Sequence, residues 1–158
     1  MAGDAAPALQ PLGPFDLEVA ASIHRDCFET PWTAQSFSEL MAMPGTTGLY
    51  AMQEAVPAGL VLFQLQPPDA EILTLAVLPG LRRRGIGGRL LKAAADHARL
   101  AGATRLLLEV AADNDPAASL YRRLGFQPLS RRRKYYRRAG GPPMDAEVLV
   151  LELAKGAE

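Results

Sequence analysis

The sequence predicts a single α/β domain of about seven strands and about four helices, and three observations carry the prediction. Strand-length apolar runs at about 47–53, 58–66 and 70–77 follow one another across the turn signals EAVPAG and PPDA, the spacing of an antiparallel meander. A strand, a glycine-rich turn, a long amphipathic helix and a doubly apolar strand then succeed one another between 70 and 110, which makes one βαβ unit. The 158 residues are 49% hydrophobic, enough to fill one core, and show neither a linker nor an internal repeat.

Residues 1–8, MAGDAAPA, contain an acid, no basic segment and no long apolar run. They read as a loose tail rather than a secretion signal, ahead of a domain spanning 9–155. FDLEVAASIHRDCF places Leu17, Ala20, Ala21, His24 and Phe28 at helical spacing, and TAQSFSELMAM after Thr33 reads as a second short helix closed by Gly45. After the meander, residues 86–101 form the strongest helix: Ile86, Leu90, Ala94, Ala98 and Ala101 share a face, Arg89, Lys92, Asp96 and Arg99 lie elsewhere, and Gly102 is placed to end it. TRLLLEV is apolar on both faces, so it reads as a buried central strand whose one carboxylate is Glu109. DNDPAASLYRRLGF supplies Asp115 as N-cap, Pro116 at the first helical position, and Gly125 with Phe126 as the stop. FQPLSRRRKYY and DAEVLVLEL, joined by RRAGGPP, read as the last two strands.

Charge and cysteine usage narrow the class. Seventeen basic residues balance seventeen acidic ones, which argues against a surface that binds nucleic acid throughout. The single cysteine, Cys27, excludes an internal disulfide, reads as a small buried filler and fits a reducing compartment. No apolar run approaches the roughly 18 residues needed to cross a bilayer. A soluble cytoplasmic enzyme or binding module is therefore expected. His24 and His97 read as face or core histidines, because no His, Cys or Asp cluster has metal-ligand spacing, and no metal is expected.

The turn RRRGIGG is the chain's clearest chemical signal. Glycines between a strand and a helix let the backbone approach a ligand, and the helix start behind them offers unpaired N–H groups that favour anions. A P-loop needs a Lys-Ser/Thr pair that is missing here, where Leu90 stands five positions after Gly85. A dinucleotide fingerprint fits Gly85 and Gly87 but meets Leu90 at its third glycine, although Glu109 stands about 20 residues on, where a ribose-binding acid would belong.

A third reading accounts for more residues. RRRGIG, Arg82 to Gly87, resembles the Q/R-x-x-G-x-G/A pyrophosphate loop of the GCN5-related N-acetyltransferases (GNAT), and the order of elements resembles that fold over essentially the whole chain. Within that superfamily the chain is most similar to the bacterial ribosomal-protein-alanine N-acetyltransferases. The likeness rests on Pro31-Trp32, AEILTLAV, LEV at 108–110, NDPAASLYRRLGF and RRRKYY followed by a last strand. The resemblance implies a mixed, mostly antiparallel sheet splayed between strands 4 and 5, with acetyl-CoA as cosubstrate in the gap. Leu75, Ala76 and Val77, beginning at Thr74, would face the pantetheine arm. Arg82, Arg83, Arg84, Gly85, Ile86, Gly87, Gly88 and Arg89 would cradle the pyrophosphate, with Asn114 near the cofactor. Gly88 departs from the larger residue usual in that position, which would loosen the turn.

Acetyl transfer to an amine needs a neutral nucleophile, stabilisation of the developing oxyanion and a proton for the departing thiolate. Glu109, on a buried strand where desolvation should raise its pKa, suits a base acting directly or through water, and it matches the family's proposed base. The alternative is a structural acid paired with an arginine. Tyr121 resembles the family tyrosine that serves as general acid, although Leu120 and Leu124 beside it also suit simple packing. Glu71 is a second candidate base or a solvated acid. By resemblance Trp32, Glu71, Tyr135 and Tyr136 line the acceptor groove; RRRKYYRR is basic and aromatic enough to touch RNA, but the chain lacks a wider basic field. The implied reaction is acetylation of a protein α-amine, with the N-terminal alanine of ribosomal protein bS18 as acceptor. Acetylation of lysine or a small amine, and acyl-CoA or partner binding without turnover, remain as alternatives.

Overall fold

The computed structural model describes residues 6–138 and 141–154, with the backbone alone for 134–138 and 141–143. The elements run β1 (Ala8–Pro11), α1 (Leu17–Cys27), α2 (Ala34–Met41), β2 (Thr46–Gln53), β3 (Val56–Gln66), β4 (Asp69–Val77), α3 (Ile86–Leu100), β5 (Arg105–Ala111), α4 (Asp115–Arg123), β6 (Gln127–Arg138) and β7 (Gly141–Glu152). They build one seven-stranded sheet in the order β1-β2-β3-β4-β5-β7-β6. The expected meander is β2-β3-β4, antiparallel throughout, and the βαβ unit is β4-α3-β5.

β1 was not anticipated. It pairs antiparallel with β2, Ala8 opposite Met52 and Pro11 opposite Leu49, so the sheet begins where the loose tail was expected to end. Four largely exposed residues ending in proline carry no alternating pattern, and proline is tolerated there because the strand lies at an edge.

Two irregularities in β4 position the site. Leu62 opposes Thr74 while Phe63 opposes Ile72, so Leu73 is an extra residue, a bulge that turns the strand. Parallel pairing with β5 covers only Asp69, Ala70 and Glu71, opposite Arg105, Leu106 and Leu107. Beyond Glu71, β4 remains paired to β3 through Val77 while its other edge leaves β5. The sheet therefore forks between its fourth and fifth strands.

Helices cover both faces. α3 and α4 enclose the larger core, in which Val61, Phe63, Ile72, Ile86, Leu90, Leu106, Leu108, Val110 and Phe126 are buried. α1 and α2 close a smaller one on the other face over β2 to β4, with Ile23, Phe37, Leu60, Leu62 and Ala76. Since Leu106, Leu108 and Val110 face the larger core, strand alternation turns Leu107 and Glu109 to the opposite, less covered face.

Helix ends follow local chemistry with one correction. α4 is capped by Asn114, whose Oδ1 accepts from the Ala117 N–H at 3.3 Å, rather than by Asp115. Either residue type caps well, and the chain turns into the helix one residue earlier than the Asp-Pro pair suggests. At the other end Gly125, at φ +100°, lets the Phe126 N–H reach Tyr121 O and the Gly125 N–H reach Arg122 O, both at 3.1 Å. The Phe126 ring meets Tyr121 at 5.8 Å, the apolar contact expected of this stop.

Candidate active site

The fork and the glycine turn meet at the end of β4. Val77 O accepts from Arg82 Nε at 2.9 Å and from Cys27 Sγ at 3.4 Å, which folds the Arg82 stem back over the strand end. That carbonyl is thereby engaged within the protein. Cys27 is half-buried rather than the filler its composition suggested; burial pushes its thiol up, against the opposing effect of Arg82. Arg83 and Gly85 adopt left-handed backbone at φ +66° and +81°, and α3 starts directly after them. Arg82, Arg83 and Arg84 are exposed around this start, while Ile86 points into the core and can offer a ligand only its backbone.

The two following glycines differ. A Cβ on Gly87 would lie 3.3 Å from Leu120 Cδ2 and 3.7 Å from Val77 Cγ2, so this glycine lets α3 seat against α4 and β4. A Cβ on Gly88 would meet nothing within 4 Å. The arrangement fits the pyrophosphate and pantetheine of coenzyme A. A capless helix start with its unpaired N–H groups stands among three arginines, beside a β4 edge that β5 has left. Arg89 N–H is already bound to Gly85 O, which leaves the donors of the first turn ahead of it for an anion.

Across the fork stands a charged cluster. Glu71 is the last β4 residue paired to β5, and Glu109 lies two residues beyond its partner Leu107, on the same face. Arg132 of β6 brings Nη1 to 3.0 Å from Glu109 Oε1. Glu109 is thus paired with an arginine, the arrangement expected of a structural acid. Glu71 is exposed at the fork; partial desolvation and then the Glu109 carboxylate raise its pKa from the ordinary carboxylate value, against Arg132.

Trp32 approaches from the loop between α1 and α2. Its backbone N–H donates to His24 Nδ1 at 2.8 Å, and its ring stacks on the imidazole at 4.9 Å and meets Phe37 edge-on at 5.5 Å. Because Nδ1 accepts, the neutral ring carries its proton on Nε2 and donates it to Thr74 Oγ1 at 3.0 Å. Burial lowers the His24 pKa to about 4. His24 is a core histidine, as its spacing suggested, and it ties the Trp32 loop to β4 just beyond the bulge. His97 is exposed on α3, its ring edge against Phe63.

Tyr121 is buried in the larger core against Phe126, and Asn114 stands at the N-terminus of α4. Tyr135 and Tyr136 fall in β6, and their side chains lie outside the described residues. The sequence did not single out Arg132 or the His24–Thr74 contact. Nothing local distinguishes Arg132 within SRRRKYY; its face is chosen by pairing with Ala146 of β7. Among the described residues no group of three His, Cys, Asp or Glu side chains is placed to hold a metal ion, and no helix is long and apolar enough to cross a membrane.

Known proteins share this architecture and sequence. The family model described as acetyltransferase (GNAT) family matches residues 17–126. The N-alpha-acetyltransferase RimI of Mycobacterium tuberculosis is 35% identical over 131 residues, covering 79% of this chain and 81% of its own. The [ribosomal protein bS18]-alanine N-acetyltransferase of Escherichia coli K12 is 30% identical over 139 residues, covering 88% and 93%. The crystal structure of the ribosomal-protein-S18-alanine N-acetyltransferase from Escherichia coli superposes with a TM-score of 0.87 at 28% identity over 97% of both chains. The forked sheet, the glycine loop at a helix start and these matches together show that the chain belongs to the GNAT family and is an acetyl-CoA-dependent N-acetyltransferase.

Proposed function

We propose that the protein acetylates the α-amine of protein N-termini in the cytoplasm, with the N-terminal alanine of ribosomal protein bS18 as its acceptor. Relatives of 30–33% identity whose names give the bS18 alanine support the acceptor, and one of 35% is named an N-alpha-acetyltransferase. One structural observation carries the chemistry: Glu109 stands on the open face where β4 and β5 part, beside the strand edge suited to the pantetheine.

Bound acetyl-CoA supplies a thioester acetyl group. In the proposed site the first-turn N–H groups of α3, from Gly85 to Gly88, hold the pyrophosphate, helped by Arg82, Arg83, Arg84 and Arg89. Leu75 and Ala76 present backbone groups to the pantetheine amides; the Val77 carbonyl is already bound by Arg82, and Asn114 is occupied at least in part by capping α4. Glu109 takes the proton of the incoming ammonium, directly or through water. Tyr121 Oη donates a proton to the sulfur as the new N–C bond forms and the C–S bond breaks, and the second proton that the nitrogen releases restores the tyrosine hydroxyl. Trp32, Tyr135 and Tyr136 wall the acceptor groove, with Glu71 at its charged end.

Amine pKa values favour a chain end. A free α-amine titrates near 7.7 to 8.0, so about a tenth or more is neutral at pH 7, whereas a lysine near 10.4 has less than about 0.1% in that form. One modest base has far less to do for the first. A peptide starting with the bS18 N-terminal sequence and carrying one internal lysine, treated with acetyl-CoA and read by mass spectrometry at initial rate, is expected to gain acetyl on the α-amine. Faster lysine acetylation would remove the N-terminal assignment and leave a lysine or small-amine acetyltransferase.

A further inference from the structure

His24 bridges two parts of the site that lie far apart in the chain. Its Nδ1 accepts from the Trp32 N–H at 2.8 Å and its Nε2 donates to Thr74 Oγ1 at 3.0 Å, so one ring links the α1–α2 loop to β4. Thr74 pairs with Leu62 of the smaller core and so lies on the face that also carries Glu109, away from the larger core. It directly precedes Leu75 and Ala76, the stretch of β4 suited to the pantetheine. On the loop side, Phe28, Glu29 and Thr30 are exposed, and cover returns only at half-buried Pro31 and Trp32. The Trp32 N–H is bound there by an α1 side chain rather than by backbone, with Phe37 edge-on to the indole.

The bridge stands where an apolar residue would fill the space at less cost. The ring is 3% exposed, with Phe28 at 4.2 Å, Trp32 stacked on it at 4.9 Å and Phe37 edge-on at 5.5 Å. Leucine would occupy such a pocket with no polar group to desolvate. What the imidazole adds is direction. Two hydrogen bonds from two edges of a rigid ring fix the distance between loop and strand, and the stacking fixes the tilt of the indole. Burial alone lowers the pKa of the ring, so Nδ1 stays an acceptor throughout the neutral range.

We propose that His24 is a positioning residue for acceptor selection: by pinning Trp32 to β4 it sets the width of the acceptor groove and keeps large first side chains out. The inference rests on Trp32 as a wall of that groove, as in the proposed function. His24 acts through the indole alone. Its ring is enclosed, so the selection it exerts comes from where it holds the wall and not from contact with the acceptor.

Trp32 is the only tryptophan of the chain, so acrylamide quenching of intrinsic fluorescence reads the pin without turnover. His24→Leu fills the pocket and deletes both hydrogen bonds, and quenching is expected to rise. The preference in kcat/KM for an Ala-first over a Leu-first peptide should fall by about tenfold, mostly through KM, while the KM for acetyl-CoA stays unchanged. His24→Gln, whose carboxamide again carries one acceptor and one donor, should restore both readouts. A residue that served packing alone would yield to leucine with no change in either, and unchanged quenching or unchanged selectivity in the folded variant overturns the proposal. If His24→Leu fails to fold, Thr74→Val decides. It keeps the shape, removes the hydroxyl that takes the Nε2 proton and should move both readouts the same way; unchanged selectivity there sinks the pin. Trp32→Ala separates this inference from the reading beneath it. Unchanged selectivity in that variant removes Trp32 from the acceptor wall, whereas altered selectivity there with none in His24→Leu removes the pin alone.

Discussion

His24 and Glu109 are both titratable groups drawn in from water beside the same sheet, and the protein treats them in opposite ways. His24, 3% exposed, is surrounded by Phe28, Trp32 and Phe37, offered one donor and one acceptor, and given no counter-charge. Burial then selects the neutral ring. Glu109, on the less covered face, is given a guanidinium at 3.0 Å. Withdrawal without a partner charge makes His24 a packing element, whereas Glu109 is withdrawn beside a counter-charge. Under the proposed function, the first is structural and the second reactive, and what faces each makes the difference.

Exchanging the roles of the two should show it. The largest effect is expected at Glu109→Gln, which keeps the shape and removes the charge. We expect kcat to fall by about 10³-fold, roughly 4 kcal/mol in the barrier, with thermal unfolding changed little because the ion pair it breaks is half open to solvent. Steady-state assays and calorimetry on one preparation would check both halves; a comparable loss of stability would make Glu109 structural.

His24→Ala should do the reverse. Removing a buried ring and orphaning the Thr74 hydroxyl and the Trp32 N–H should lower stability by about 3 kcal/mol in urea unfolding, while kcat of the folded fraction changes little. The wild type also carries a pH signature. The folded pKa of about 4 lies below the ordinary histidine value of 6.5, so the unfolded chain takes up a proton that the folded ring refuses. The contribution of His24 is complete above about pH 6.5 and falls by about 2–3 kcal/mol as pH drops through the window to about 4. The difference between wild type and His24→Ala across that window isolates this contribution, and parallel curves would refute it.

The smallest effect sharpens the cofactor side. Gly88→Ala adds a methyl that meets nothing within 4 Å in a helix, so apo stability should rise by about 0.5–1 kcal/mol. Any loss of acetyl-CoA affinity in calorimetry would then come from the ligand rather than the fold. Gly87 cannot serve this purpose, because a larger residue there presses on Leu120.

Much of this molecule was legible in contiguous residues, because helix starts and stops, turns and apolar alternation depend on neighbours a few positions apart. The α3 boundaries, the Gly125-Phe126 stop, the β2-β3-β4 meander and the glycine turn that nominated a phosphate site all belong there. Even at this level capping moved by one residue, from Asp115 to Asn114, and the four-residue β1 went unseen, since its pairing with β2 rather than its own pattern makes it a strand.

The sequence by itself determined the elements other than β1, their order and the residue types at the site. Only the tertiary structure decided which charges meet. Glu71 and Glu109 become neighbours because parallel pairing of β4 and β5 runs as far as Glu71 and stops. Arg132 faces Glu109, and Arg131 does not, because a shift between Pro128 and Ser130 sets the register of β6 on β7. A strand's side chains alternate with period two, so a one-residue shift exchanges every side chain between the faces of the sheet, and that choice is made by pairing between distant segments.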